Sequence, residues 1–193
     1  MESTLINIYG HPEFTSEEFA IITRGHTIEF FKKGDMLLKA GQNSNEYYCL
    51  TKGIIRSYAI SNEGNEITTC FFSENDIVIE VASFFLKIPT KENFQAMTDC
   101  ECWKIDYETF QNLFHAIKGF SDWGRTWMSG QLLKSKLRSL SMITDSATDR
   151  YIELQKSHPN IILSVPLKYI ASYLGITDTS LSRIRKDLAK SKE

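Results

Sequence analysis

At 193 residues, with 42% hydrophobic and 24% charged side chains, the chain has the composition of an ordinary globular protein and is long enough to bury one large core or two small ones. No apolar run approaches the ~20 residues of a membrane-spanning helix, and "MESTLINIYGHPEF" has neither the basic start nor the long apolar stretch of a secretory signal, so a cytoplasmic location without membrane contact is expected. The net charge of −2 is unevenly spread: residues 150–193 hold eight Lys/Arg against four Asp/Glu, a net of +4, and residues 1–149 carry −6, so a basic end suited to a polyanion partner sits on an acidic body.

In chain order, Thr15-Ser16-Glu17-Glu18 opens a short helix through about Gly25, with Thr15 and Glu18 at capping-box spacing. Eight short apolar runs follow: "TIEFF", "DMLLKAG", "EYYCLTKG", "IIRSYAIS", "EITTCFF", "DIVIEVASFF", "NFQAMTD" and "CECWKID". Turn residues around Gly34, Gly41, Gly53 and Gly64 separate them, and strands at roughly 8–12-residue spacing with glycine turns predict an antiparallel β-sandwich, roll or barrel. In "IIRSYAIS", Ile55, Ser57 and Ala59 alternate with Arg56, Tyr58 and Ile60, the pattern of a strand with two unlike faces.

From about Tyr107 the glycine turns vanish and the period becomes helical. Trp123, Trp127, Gly130, Leu133, Leu137 and Leu140 recur in steps of four and three. Arg125, Lys134, Lys136 and Arg138 flank them, leaving a narrow stripe that predicts a dimer seam rather than a helix lying on its own β-domain. Beyond Ser146, "ATDRYIELQKSHPN" reads as a helix stopped by Pro159, and "IILSVP" as a short extended piece.

The stretch "YIASYLGITDTSLSRIRK" carries the most information. Ile170, Ala171 and Leu174 share one face of a first helix. Gly175 supplies a sharp turn, and Thr177 can cap a second helix. With Leu181 at 0°, Ile184 and Leu188 lie at about −60° and −20°, and Thr179, Ser182, Arg183 and Lys186 at about 100–200°. A plain amphipathic hairpin explains the greasy face but not the alanine at the crossing, the glycine turn and the hydroxyl-and-base face opposite. DNA uses that face: arginine grips guanine bidentately, and hydroxyls and lysine reach phosphates or base edges. A helix-turn-helix is expected.

Other chemistries find little support. Cys49, Cys70, Cys100 and Cys102 include no C-x-x-C pair and no neighbouring histidine, and they read as small buried hydrophobes in a reducing compartment. His11, His26, His115 and His158 are scattered, as no metal centre or cupin-type enzyme would have them, and no catalytic constellation or phosphate-cradling loop is present. Neither a catalytic nor a metal site is expected.

Together, "KKGDMLLKAG", "YYCLTKGIIRSYAISNEGNEITTCFFSENDIV" and "YIASYLGITDTSLSRIRK" resemble the cyclic-AMP receptor protein (Crp/Fnr) family of transcription regulators over nearly the whole chain. The resemblance implies an α+β architecture in three parts: a β-roll sensor domain of the cyclic-nucleotide-binding kind over 1–115, a long dimerisation helix over 116–144, and an all-α helix-turn-helix over 145–193 without an obvious C-terminal wing. It implies a homodimer joined along Trp123, Trp127, Leu133, Leu137 and Leu140, and an inverted-repeat operator in double-stranded DNA. It admits RNA polymerase as a further partner. Thr177, Asp178, Thr179 and Arg183 fall at positions that meet bases or adjacent phosphates in the family, and Lys168 at a phosphate contact. Asp178 is unusual there, either capping the helix or accepting from a cytosine amino group.

The family's ligand cassette is degenerate here. Glu80 matches the glutamate that accepts from a ribose hydroxyl, but Ile79 replaces its glycine, and Thr90 then Lys91 stand where arginine then serine or threonine would pair with the cyclic phosphate. Lysine offers a point charge without arginine's fork, so a cyclic nucleotide is disfavoured and the small-molecule effector stays unassigned. The iron–sulfur members carry an N-terminal cysteine group, whereas the first cysteine here is Cys49. The leading expectation is a dimeric DNA-binding regulator. The alternative is a small-molecule module whose helical end serves protein contacts.

Overall fold

The computed structural model describes residues 2–10 and 14–190; His11 lies outside them. Two helices, α1 (Glu2–Tyr9) and α2 (Ser16–Arg24), precede the strands β1 (Thr27–Phe31), β2 (Met36–Leu38), β3 (Glu46–Lys52), β4 (Ile55–Ile60), β5 (Glu66–Phe72) and β6 (Ile77–Val78). Then come α3 (Val81–Leu86), β7 (Glu92–Ala96), β8 (Cys100–Asp106), α4 (Tyr107–Ala116) and the long α5 (Phe120–Thr144). Four helices finish the chain: α6 (Ala147–Ser157), α7 (Pro159–Ser164), α8 (Leu167–Leu174) and α9 (Asp178–Lys190). The expected capping box is present: Thr15 Oγ1 accepts from the Glu18 amide at 3.2 Å, and the Glu18 carboxylate accepts from the Thr15 amide at 2.9 Å.

The strands form two four-stranded antiparallel sheets in the orders β1-β8-β3-β6 and β2-β7-β4-β5. Between them lies a core of Tyr48, Leu50, Ile55, Val78, Phe94, Ala96, Cys100 and Cys102. The C-x-C pair therefore does share one inward face, and all four cysteines are free thiols. Gly53 shows why a turn here needs glycine: its φ is +104°, and a Cβ would stand 2.6 Å from the Asp99 carbonyl oxygen.

Each sheet is also covered on its outer face. Tyr47, Cys49 and Ile105 of the first sheet pack with Leu5 and Tyr9 of α1, Ile22 of α2, Phe110 of α4, and Phe120 and Trp123 of α5. Ile54, Phe71 and Met97, on the second sheet's side, share a core with Tyr151, Leu154, Ile161, Ile170, Ala171 and Leu174 of the C-terminal helices. The expected two-faced β4 is thus buried on both faces, with Ile55 inward and Arg56 and Tyr58 under the C-terminal helices.

Two segments depart from the sequence reading. "IILSVP" is helical through Ser164, because Pro159 sits at the first position of α7, where its missing N–H costs nothing, and Ile161 is buried. Pro159 starts a helix instead of only ending one. In "DIVIEVASFF", only Ile77 and Val78 are strand; Glu80 caps α3 by accepting from the Ser83 amide.

Between α5 and α6 the link is two extended residues. Asp145 ends α5, and Ser146 caps α6 by accepting from the Asp149 amide at 3.1 Å. Arg150 donates to the carbonyls of Asp145 (2.6 Å) and Leu174 (2.9 Å), tying the link to the end of α8.

Candidate nucleic-acid interface and sensor cavity

The C-terminal helix pair has the expected form. Ile170, Ala171 and Leu174 of α8 and Leu181 of α9 are all at most 2% exposed, so the crossing is built on alanine. Gly175 is left-handed (φ 69°, ψ 33°) and its amide bonds the Ser172 carbonyl at 3.1 Å, closing α8. Thr177 Oγ1 accepts from the Ser180 amide at 3.2 Å, so the cap of α9 is Thr177. Asp178 therefore does not cap; it occupies the first turn, where the helix dipole favours a carboxylate.

Opposite Leu181, the surface is polar. Thr177, Asp178, Thr179, Ser182, Arg183 and Lys186 are exposed, and Lys168 is exposed at the start of α8. Every residue expected to meet DNA is thus exposed, and Lys168, Thr177, Asp178 and Thr179 line one cleft. Arg138 of α5 braces the pair from behind, stacking 3.7 Å over the Tyr173 ring and donating to the Tyr173 carbonyl at 3.0 Å.

The long helix divides the predicted seam. Trp123 is 6% exposed, lies in the chain's own core and donates from Nε1 to the Ile8 carbonyl at 2.9 Å. Trp127 packs beside it. Trp123 therefore serves the chain's own core, and Trp127 is partly buried against it. Leu133, Leu137 and Leu140 are each half or more exposed, joined by Leu132 and Ile143, at 73% and 83%.

Within the roll, a cavity of about 560 Å³ is lined by Leu37, Leu38, Tyr48, Val78 and Phe94, by the polar stretch Gln42 to Glu46, and by Glu80. No lysine or arginine among the described residues lines it. Glu80 is the one cassette residue at the cavity. Thr90 is buried behind it, accepting from the Glu92 amide at 3.0 Å, and Lys91 is exposed outside. Glu46 and Glu80 put two carboxyl groups on the cavity lining; burial, and then the charge of Glu80, hold the neighbouring Glu92 carboxyl above its usual range, against a hydrogen bond from Thr69. A cyclic phosphate there would meet two carboxyl groups and, among the described residues, no lining arginine.

A buried polar chain escaped the sequence reading. His26 Nδ1 donates to the Ile22 carbonyl at 2.8 Å, which leaves Nε2 to accept from Tyr9 Oη at 3.0 Å; Tyr9 Oη in turn accepts from Tyr47 Oη and, at 3.7 Å, Cys49 Sγ. Burial lowers His26 to about 4 despite its bond to Ile22 and raises the Cys49 thiol to about 12. Only the periodicity of Leu5, Ile8 and Tyr9 hinted at the helix that delivers Tyr9. Among the described residues, no group of three or more His, Cys, Asp or Glu could hold a metal ion, and no helix is long and apolar enough to cross a membrane.

A two-sheet roll with a polar cavity, a long helix and an exposed basic helix-turn-helix define a one-chain sensor joined to a nucleic-acid reader. Residues 28–116 match the model of the cyclic nucleotide-binding domain. The chain is 28% identical over 192 residues to the fumarate and nitrate reduction regulatory protein of Yersinia pestis, covering 92% of this chain and 76% of that one. In fold it is similar to FixK2 from Bradyrhizobium japonicum, with a TM-score of 0.73 and 16% identity over 86% of each chain. It is likewise similar to a CooA mutant from Carboxydothermus hydrogenoformans, with a TM-score of 0.68 and 20% identity over 97% of this chain and 84% of that one. In sequence and in fold the chain is thus similar to transcription regulators of the Crp/Fnr type.

Proposed function

We propose that the chain works in the cytoplasm as a homodimer reading an inverted-repeat operator in duplex DNA. The observation that carries this is the exposed hydroxyl-and-base face of α9, set opposite buried Leu181 on a glycine-turned helix pair. In this assignment α9 enters the major groove; Arg183, with Thr179 and Ser182, addresses base edges, Lys186 and Lys168 address phosphates, and Thr177 and Asp178 stand at the helix start. The half-exposed Leu133, Leu137 and Leu140 pair the long helices across a two-fold axis. Residues 1–115 form the sensor, 116–144 the pairing helix and 145–193 the reader, and contact with RNA polymerase follows from the same role. The carboxyl groups of Glu46 and Glu80 on the cavity lining, with no lysine or arginine among the described lining residues, support an effector other than a cyclic nucleotide.

Selection from a random-sequence duplex pool tests the reading. The expected product is an inverted repeat whose half-sites lie about 34 Å apart, bound with an affinity that falls steeply with salt. Recovery of no motif, with no salt-sensitive retention, would overturn it and favour the alternative in which the roll binds a small molecule and the helical end contacts protein. The cavity of about 560 Å³ is the observation behind that alternative.

A further inference from the structure

The cavity of the roll has an unlike pair of walls. Leu37 and Leu38 of β2 and Phe94 of β7 make the second sheet's side apolar. On the first sheet's side, Glu46 shares the inward face of β3 with Tyr48 and Leu50, because alternate residues of a strand point the same way. Glu80 joins it from the end of β6, the strand beside β3.

Each carboxylate is held by one oxygen. Glu46 Oε1 accepts from Tyr48 Oη at 2.7 Å, and Glu80 Oε2 accepts from the Ser83 amide at the cap of α3. Ser83 is fully buried, and its Oγ accepts from the Ser44 amide at 2.7 Å, which fastens that cap to the polar wall from Gln42 to Glu46. Glu46 Oε2 and Glu80 Oε1 are left without a hydrogen bond to any described residue.

The cations nearby are engaged elsewhere. Lys104, within electrostatic reach of Glu46, pairs with Glu29 at 3.0 Å. Lys87 is exposed, with Nζ 3.4 Å from the centroid of the Tyr107 ring and 3.4 Å from Asn45 Oδ1, to which it donates. Neither lines the cavity. Glu92 of β7 adds a further carboxyl near Glu80, raised by burial and then by the Glu80 charge.

A space of about 560 Å³ with one apolar wall and a few fixed polar groups has the size of a small-molecule site and is far too roomy for a bare ion. Fixed carboxylates with unbonded oxygens attract a cation and repel a phosphate or a carboxylate. Ammonium and guanidinium groups carry donors alone, which is what those oxygens lack.

We propose that the effector of the roll is a small organic cation, a primary amine or guanidinium on an apolar body, whose N–H groups bond Glu46 and Glu80 while the body lies against Leu37, Leu38 and Phe94. The proposal rests on the reading of residues 1–115 as the sensor.

Thermal melting and titration calorimetry of the full chain test it, with 2-phenylethylamine, isopentylamine and phenylguanidine as ligands. Their neutral counterparts 2-phenylethanol, isopentanol and phenylurea, the acid 3-phenylpropionate, and cyclic AMP are the controls. At least one cation is expected to raise Tm and to bind with a Kd of about 1 mM or tighter, about tenfold or more below that of its neutral counterpart. Glu46→Gln and Glu80→Gln each keep an oxygen for the Tyr48 hydroxyl or the Ser83 amide, and each should weaken that binding about tenfold. No cation bound at about 10 mM, a neutral counterpart bound as tightly, or wild-type affinity in both variants overturns the proposal. If one variant does not fold, the other and the unmodified protein decide. Cyclic AMP bound in place of every cation overturns the cation and leaves the roll a sensor. No response to any of these compounds, cyclic AMP included, overturns the cation and removes the support for the sensor reading with it.

Discussion

Arg183 and Lys168 are both exposed on the C-terminal helices, yet their removal should read differently. A bidentate arginine on a base edge is worth about 1–3 kcal/mol of discrimination, so Arg183→Ala should relax preference at one position of each half-site. Repeating the selection with the variant checks this; an unchanged motif removes Arg183 from base reading. Lys168→Ala should instead weaken all sequences alike and lower the slope of log affinity against log salt by about 1. Asp178 was the open question in this stretch. With Thr177 as the cap, its carboxylate is free to face the groove, and Asp178→Asn should shift base preference more than it shifts helix stability. Residue identities on this face were legible because a helix of known period has only one way to bury Leu181, Ile184 and Leu188. The cavity was less so: Thr90 matched a motif by position, but its burial depends on the strand it enters.

Among the elements, α5 shows how periodicity finds a stripe without naming its partner. All six stripe positions follow one rule in sequence, but Trp123 finds the Ile8 carbonyl 115 residues away, a pairing no local pattern encodes. The remaining leucines are left to another helix. Replacing Leu133 and Leu137 together with aspartate should convert a dimer to monomers by light scattering, weakening self-association about 100-fold or more. Affinity for the inverted repeat should fall with it, while the roll melts normally. Pro159 does stop α6, but the segment after it was misread for the opposite reason: a proline ends one helix and opens the next with equal ease, and the burial of Ile161 made the choice.

At the scale of the molecule, the roll was legible from glycine-spaced apolar runs, and the order of parts from the change of period. The layering was not. β3 and β4 are buried on both faces because helices from opposite ends of the chain cover them, and alternation alone cannot say what lies over an outward Arg56. The same layering sets a pH dependence. His26 is held neutral, its pKa lowered to about 4 from an ordinary 6.5. The unfolded chain therefore takes up its proton first as pH falls. The contribution of His26 is intact above pH 6.5 and lost between 6.5 and 4. Urea titrations at pH 7.5 and 5 should show the wild type losing about 2 kcal/mol more than His26→Gln. Equal losses would mean that Tyr9 reorganises to accommodate the imidazolium.

The two-residue link of Asp145 and Ser146, capped on both sides and tied by Arg150 to the end of α8, has a consequence for how such a regulator diversifies. Four backbone torsions are all that separate a rigid arm from a rigid head, so the head is a cassette that can be exchanged at one joint. A chimera made there would inherit its host's dimerisation and its donor's operator.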